Sequence, residues 1–303
     1  MHPTILHSIA LMEPVTASVK QPTPGTGPAV ASTFRRDVWP SRDAAAATFR
    51  ENKFYQKWDP RVFDLWIKYG LRELPTPIYP NLPVQVARGA TQQAVSPPAA
   101  IKEAQPLTET PAEEKAVTLR TTKHQEVFTF QRPMYPATGK VLSAFTPTRL
   151  SHPDLLQPYG PSLSVTYRSE GTLLFMRLPH LRPSILYIFG GKSDLSTPVI
   201  IKEKLEITGT GIGGNGGVET GGVEHITYED GGHFVPFEQS KDVAGDLANW
   251  MAGEIARFQD ERALLNEEWG KLQEREKYTL SEEWNWWMDE ERKQSRLRRK
   301  AKL

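Results

Sequence analysis

The sequence predicts an α/β fold built on a parallel sheet, and three stretches carry that prediction. Residues 184–191, Ser-Ile-Leu-Tyr-Ile-Phe-Gly-Gly, form an unbroken β-branched and aromatic run closed by glycines, as a strand buried on both faces requires. Residues 4–14 hold a second apolar run that stops at Glu13 and Pro14, the way a parallel strand stops at a sheet edge. From 184 to 258 the pattern reads strand, loop, helix, strand, loop, helix, which is the order of a parallel sheet.

The remaining elements follow in chain order. The Gly/Pro-rich residues 19–28 read as a loop. A helix is predicted from Ser41, a good N-cap, to about Trp58, with Ala44–Ala47 as strong formers. A second starts at Asp59 with Pro60 in its first position and stops at Gly70; Val62, Leu65, Trp66 and Tyr69 make its apolar face. Residues 84–117 are rich in Ala, Pro, Gln, Thr and Glu, a composition that cannot bury enough surface to offset ordering entropy. They read as a disordered insertion, with order returning near Val127–Phe130 and again at 172–177. After the strand at 184–191 come a helix from about Thr197 to Glu206, a glycine-dense loop over 209–222 and a short strand at His225–Tyr228. Ser240 is the expected cap of a helix bearing Val243, Leu247, Trp250, Met251, Ile255 and Phe258. A charged helical tail follows. Thr279 and Glu282 form the expected capping box of a last helix carrying Leu280, Trp284, Trp287 and Met288.

Composition excludes several function classes. In 303 residues, 37 basic groups balance 36 acidic ones, so no global field draws the chain to nucleic acid or anionic membrane. The absence of cysteine removes disulfides, thiolate nucleophiles and Cys-ligated metal sites. No run of 18 apolar residues exists to span a bilayer. His152, His180 and His225 show no metal-ligand spacing, and neither a metal nor a cofactor is expected. Gly209–Gly214 fits G-x-G-x-x-G, but Asn-Gly-Gly follows and no helix can start there; Gly191-Lys192-Ser193 lacks the earlier glycine of a P-loop.

Two residue types point to acid–base chemistry. His233, in Asp230-Gly231-Gly232-His233, follows a short strand on a glycine-flanked turn that leaves an imidazole free to act as a general base. Asp194 lies just past the C-terminal end of the best strand, where sites gather in open α/β sheets, and a carboxylate there can fix the imidazole tautomer. Glu13 ends the first strand at the same edge and is the other candidate for that acid. Asp194 is the expected orienting acid, with Glu13 open as the alternative. No G-x-S-x-G occurs anywhere, so the nucleophile such a pair would activate is missing from the 303 residues.

This order of elements, with Gly-Gly-Lys-Ser-Asp at one strand end and Gly-Gly-His-Phe-Val-Pro-Phe-Glu at the next, resembles the C-terminal part of an α/β-hydrolase. Within that superfamily the chain is most similar to fungal toxin-biosynthesis hydrolases related to peroxisomal lipases, through residues 35–42, 54–62, 122–130 and 186–193. The resemblance implies a partial α/β-hydrolase fold: a parallel sheet remnant, a helical cap insertion and a long charged helical tail. Residues 1–18 would be the core strand after a missing nucleophile helix, 19–180 the cap, 181–258 the C-terminal core and 259–303 the tail. It further implies His233 as catalytic base, Asp194 or Glu13 as its acid, and Trp39, Trp58 and Trp66 in the cap over a pocket. Met1-His2-Pro3 resembles the end of the nucleophile helix, which places the elbow upstream and leaves the chain as given inactive. The remaining strands would then expose apolar edges.

The implied function is hydrolysis of an ester or thioester of an acyl or polyketide-like substrate in fungal secondary metabolism. Ala301-Lys302-Leu303, behind a basic run, resembles the Ser-Lys-Leu peroxisomal address, which implies an import receptor as partner and the peroxisome as location. The alternative is a degenerate, non-catalytic hydrolase that binds another protein through its Trp-rich tail.

Overall fold

The computed structural model describes residues 5–16, 26–80, 115–133, 148, 150, 166–168 and 170–300. Compact units comprise Met1–Leu247 and Ala248–Leu303. In chain order the first unit holds β1 (Ser8–Met12), α1 (Thr26–Phe34), β2 (Val38–Trp39), α2 (Arg42–Glu51), α3 (Pro60–Tyr69), β3 (Leu71–Glu73) and β4 (Val117–Leu119). There follow α4 (Lys123–Phe130), β5 (Arg132–Pro133), β6 (Thr166–Tyr167), α5 (Glu170–Arg177), β7 (Ser184–Gly190), α6 (Pro198–Ile207), β8 (Val223–Tyr228) and α7 (Val235–Glu238). α8 (Ser240–Lys271) begins in the first unit and continues in the second, which ends with α9 (Glu282–Lys300).

The fold class is α/β with a parallel sheet. Its strands lie in the order β1-β7-β8, both pairings parallel. β7 is the middle strand and all seven of its residues are buried, which its two-sided β-branched and aromatic composition requires. Ile185, Tyr187, Phe189 and Val223 form the sheet core, with Ile9, Leu11, Leu181, Ile201 and Leu205 packed on it. Thr197 caps α6 by accepting from the Ile200 N–H, and Pro198 opens its first turn. The glycine-dense loop after α6 is organised by Asn215. Its side-chain amide donates to the Pro183 and Gly222 carbonyls, and its oxygen accepts from the Gly217 N–H.

A helical module lies between β1 and β7 in sequence. Ser41 caps α2 and Asp59 caps α3 with Pro60 in its first turn, as the sequence predicts. Trp39, Ala45, Phe49, Tyr55, Trp58, Phe63, Leu71, Val117 and Leu119 form its core, which a three-stranded antiparallel sheet in the order β2-β4-β3 closes. Rings of Phe49, Tyr55, Trp58 and Trp66 meet at centroid distances of 4.9 to 6.3 Å.

Several expectations are corrected. The helix from Ser41 stops at Glu51, where Asn52 turns to extended backbone, and a short 3-10 turn at Tyr55–Lys57 follows. α3 buries Phe63, with Val62, Trp66 and Ile67 packed on the cluster, while Leu65 and Tyr69 are exposed. α3 carries apolar residues on two faces, and the cluster of Phe49 and Tyr55 selects the one through Phe63. The expected disordered insertion does not extend to 117: Val117 is buried in β4, held by β2 on one side and β3 on the other. The rest of that stretch, 84–114, lies outside the described residues. Ser240 does not cap α8; it is the first helical residue and its hydroxyl donates to Asp59 Oδ2. Ser281, not Thr279, caps α9, accepting from the Trp284 N–H, while the Thr279 hydroxyl donates to the Arg275 carbonyl.

The second unit carries apolar side chains at 251, 255, 258, 265, 269 and 272, all exposed. Trp284, Trp286 and Trp287 on α9 are half exposed, the last two edge-to-face at 5.0 Å. Among the described residues no helix is long and apolar enough to cross a membrane.

The orientation of α3 is testable by urea unfolding of two variants. Phe63→Ala is expected to cost about 3–5 kcal/mol, the range for emptying a buried aromatic site. Leu65→Ala on the exposed face is expected to stay within about 0.5 kcal/mol of wild type.

Candidate active site

β1 delivers its last residues to the C-terminal edge of the sheet beside the end of β7. There the chain turns sharply: Glu13 has φ of 45°, left-handed backbone that glutamate seldom adopts. The turn is held because the Glu13 N–H still donates to the Ile188 carbonyl at 2.8 Å, one step past the ladder. It swings the side chain inward, so that Glu13 is only 4% exposed, packed against the loop after β7.

Four donors meet that carboxylate. Oε1 accepts from the Gly190 N–H at 2.6 Å and the Ser196 hydroxyl at 2.6 Å. Oε2 accepts from the Ser193 hydroxyl at 2.5 Å and faces His233 Nδ1 at 3.1 Å. Burial pushes the carboxyl pKa up, but hydrogen bonds from His233, Ser193, Ser196 and the Gly190 N–H outweigh it and hold the acid below its ordinary value. The carboxylate is therefore ionised near neutrality and only accepts, which assigns the proton to Nδ1 and leaves Nε2 of the neutral ring with a lone pair. Nε2 makes no hydrogen bond with the described residues, and the His233 side chain is 38% exposed.

The loop that carries His233 is placed by close backbone approach. A Cβ at Gly190 would stand 2.2 Å from the Gly232 carbonyl oxygen, so only glycine lets this loop cross the end of β7. The Lys192 N–H donates to the Gly231 carbonyl and the Gly232 N–H to Glu238 Oε2, while Val235 is fully buried beneath. On the other side Phe234 joins the aromatic cluster of the helical module, 4.8 Å from Phe54, and Phe237 lies 4.8 Å from Trp58. Asp59 ties the same two segments: its N–H donates to the Phe237 carbonyl and its carboxylate accepts from Ser240.

The three residues singled out from the sequence are thus placed differently. Glu13 and His233 come together; Asp194 is exposed, and no hydrogen bond or ion pair joins it to His233. Two turns in the loop after β7 explain this. Ser193 and Ser196 point inward, and Asp194 between them points to solvent. Ser193 and Ser196 are the polar groups that sequence reasoning missed. Their only signal was position, two small hydroxyls at the C-terminal end of the best strand. Trp39, Trp58 and Trp66 sit in the core of the helical module and its packed margin. Among the described residues no group of three or more His, Asp or Glu could hold a metal ion.

Comparison with known proteins bears on this arrangement. No family model matches the chain. It is 33% identical over 293 residues to the type I acyl-CoA thioesterase mpaH of Penicillium roqueforti (strain FM164), covering 95% of this chain and 61% of that protein. It is 33% identical over 280 residues to mpaH of Penicillium brevicompactum, covering 89% of this chain and 59% of the relative. The abhydrolase domain-containing protein AFT2-1 of Alternaria alternata is 24% identical over 217 residues, 72% of this chain and 63% of its own length. The chain belongs to the α/β-hydrolase superfamily. It spans about three-fifths of the length of these relatives. In that superfamily setting the sheet edge where Glu13 and His233 meet is the edge where sites of open α/β sheets gather. The peroxisomal alpha-beta-hydrolase Lpx1 of Saccharomyces cerevisiae overlays 97% of this chain and 56% of its own, at 13% identity and a TM-score of 0.42, a likeness too slight to carry weight.

The role of the Glu13 carboxylate in the fold has a pH signature. Its native pKa lies below the ordinary 4.5, so the stability it contributes is fully present above about pH 4.5 and is lost as the pH falls through the lower native value. Glu13→Gln is expected to cost at least about 2 kcal/mol at pH 7, because hydrogen bonds to a charged acceptor are lost or reversed. The gap between wild type and variant should narrow on acidification below pH 4.5, followed by urea unfolding across that range.

Proposed function

We propose that the chain provides the acid–imidazole part of a hydrolase that cleaves an acyl thioester, with His233 as general base and Glu13 as the group that orients it. The observation that carries this reading is the 3.1 Å contact between Glu13 and His233 Nδ1 at the sheet edge, in a chain a third identical to acyl-CoA thioesterases. In this reading His233 Nε2 takes the proton from a hydroxyl as its oxygen attacks the thioester carbonyl. The buried carboxylate stabilises the imidazolium, which then returns the proton to the departing thiolate. A water deprotonated by the same nitrogen releases the acid. Asp194, facing solvent, has no part in these steps.

The attacking hydroxyl is not among the candidates near the pair. Ser193 and Ser196 both give their hydroxyl protons to Glu13 rather than to His233, so neither is poised to attack. No G-x-S-x-G occurs in the 303 residues. The reading therefore takes the nucleophile from the segment of the relatives that this chain leaves unmatched, and the chain by itself is inactive. Expressed alone, the chain is expected to leave a medium-chain acyl-CoA intact. Joined to the unmatched segment of the Penicillium roqueforti thioesterase, it is expected to release free CoA. His233→Ala should then lower kcat by roughly 10² to 10⁴, the range for a lost general base. His233-dependent turnover by the chain alone would overturn the missing-nucleophile part, and a folded but silent fusion would overturn the hydrolase reading.

A second reading is favoured by the half-exposed Trp284, Trp286 and Trp287: a non-catalytic member that binds a partner through α9. It is the reading left if the folded fusion is silent.

Targeting to the peroxisome through Ala301-Lys302-Leu303 belongs to the same proposal; these three residues lie outside the described ones. A fluorescent protein carrying the last residues of this chain is expected to be punctate with a peroxisomal marker, and diffuse once Leu303 is removed. Diffuse or nuclear signal from the intact terminus would refute it.

A further inference from the structure

A hidden cation lies near Glu13. Lys204, in the last turn of α6, is 0% exposed, and its ammonium donates to the carbonyl of Pro14 at 2.8 Å. Its stem runs past the sheet core, with Nζ 5.6 Å from the Phe189 ring centroid. An ammonium has three donors, and among the described residues this one makes a single hydrogen bond, to a neutral carbonyl. A methionine, unbranched and one atom shorter, would fill most of the space without the desolvation cost, so the fold alone is poorly served by lysine here.

What the ammonium grips is the turn that aims Glu13. Pro14 directly follows the left-handed Glu13, a conformation that costs a glutamate on the order of 1 kcal/mol and relaxes unless its surroundings hold it. The Glu13 N–H is fixed to Ile188 on one side, and the Pro14 carbonyl is fixed to Lys204 on the other. The turn is therefore clamped at both ends by groups from β7 and α6. The charge of Glu13 is in turn felt at Lys204. Burial pushes the ammonium down to about 8, and the charge of Glu13 opposes that shift, so both groups are ionised together near neutrality.

We propose that Lys204 is a positioning residue for the acid–imidazole pair: by holding the Pro14 carbonyl behind the Glu13 turn, it keeps the Glu13 carboxylate among its donors and aimed at His233. The proposal deepens the hydrolase reading and rests on it for the use made of the pair. The groups that face Glu13 are His233 from the loop after β8, Ser193 and Ser196 from the loop after β7, and Lys204 from α6.

The test reads ionisation rather than turnover, so a failure of the hydrolase reading does not touch it. In the full chain with ¹³C-labelled glutamate side chains, the Glu13 signal, assigned by its loss in Glu13→Gln, is titrated by NMR. Wild-type Glu13 is expected to titrate below the ordinary glutamate value. Lys204→Met, which keeps the stem and removes donor and charge, should raise the midpoint by about one pH unit, tenfold in the ionisation constant. Lys204→Gln, which keeps a donor for Pro14 but no charge, should give a smaller rise. Circular dichroism confirms that each variant is folded. A folded variant of either kind that titrates as wild type would overturn the proposal. Loss of folding in both would overturn it as well, assigning Lys204 to the fold and not to the pair.

Discussion

A carboxylate taken out of water must be matched by donors, and that demand on Glu13 organises the top of the sheet. The acid lies at the end of β1, yet its donors come from β7, from the loop after β7 and from the loop after β8. Each segment is thereby drawn to one point. The left-handed turn at Glu13 is the local cost of this arrangement, and Gly190 is its counterpart on the facing strand, where any side chain would strike the histidine loop. Filling both carboxylate oxygens also sets the chemistry. An acceptor-only group beside Nδ1 makes that nitrogen the donor and turns the other one outward as a base.

The helical module bears on the site through contact rather than through polar groups. Its tryptophans and phenylalanines pack on one another, so the module has a core of its own, and Phe54 and Trp58 extend that core onto Phe234 and Phe237. Asp59 adds two hydrogen bonds across the same seam, to the Phe237 carbonyl and the Ser240 hydroxyl. The residue after the histidine is thus held between the module and the strand end.

Much of this was legible in the chain because the physics is local. A cap such as Ser41, Asp59 or Thr197 satisfies N–H groups two or three residues away, and Pro60 or Pro198 fits a first turn whatever lies around it. The apolar run of β7 announces burial on both faces, and the glycines that end it announce a close crossing. His233, Asp194 and Glu13 stood out because all three follow strands at the same edge. Where a signal was shared between two local solutions the sequence was silent. α3 carries apolar residues on two sides, and only its neighbours choose Phe63 over Leu65. Val117 begins a three-residue strand whose identity comes from β2 and β3 on its flanks.

The amino-acid sequence by itself determined the α/β class, the parallel order of the strands and the histidine loop, since periodicity, capping and turn residues act over a few positions. Tertiary structure alone decided which carboxylate meets His233. Glu13 and His233 are separated by 220 positions, and their meeting depends on the register of β1 on β7 and on one left-handed turn. Spacing along the chain favoured Asp194 over Glu13, because distance in sequence does not record which way a loop residue faces. The burial of Lys204 behind the Glu13 turn is hidden for the same reason: a lysine near a helix end looks like a solvated charge until a strand from elsewhere places a carbonyl over it.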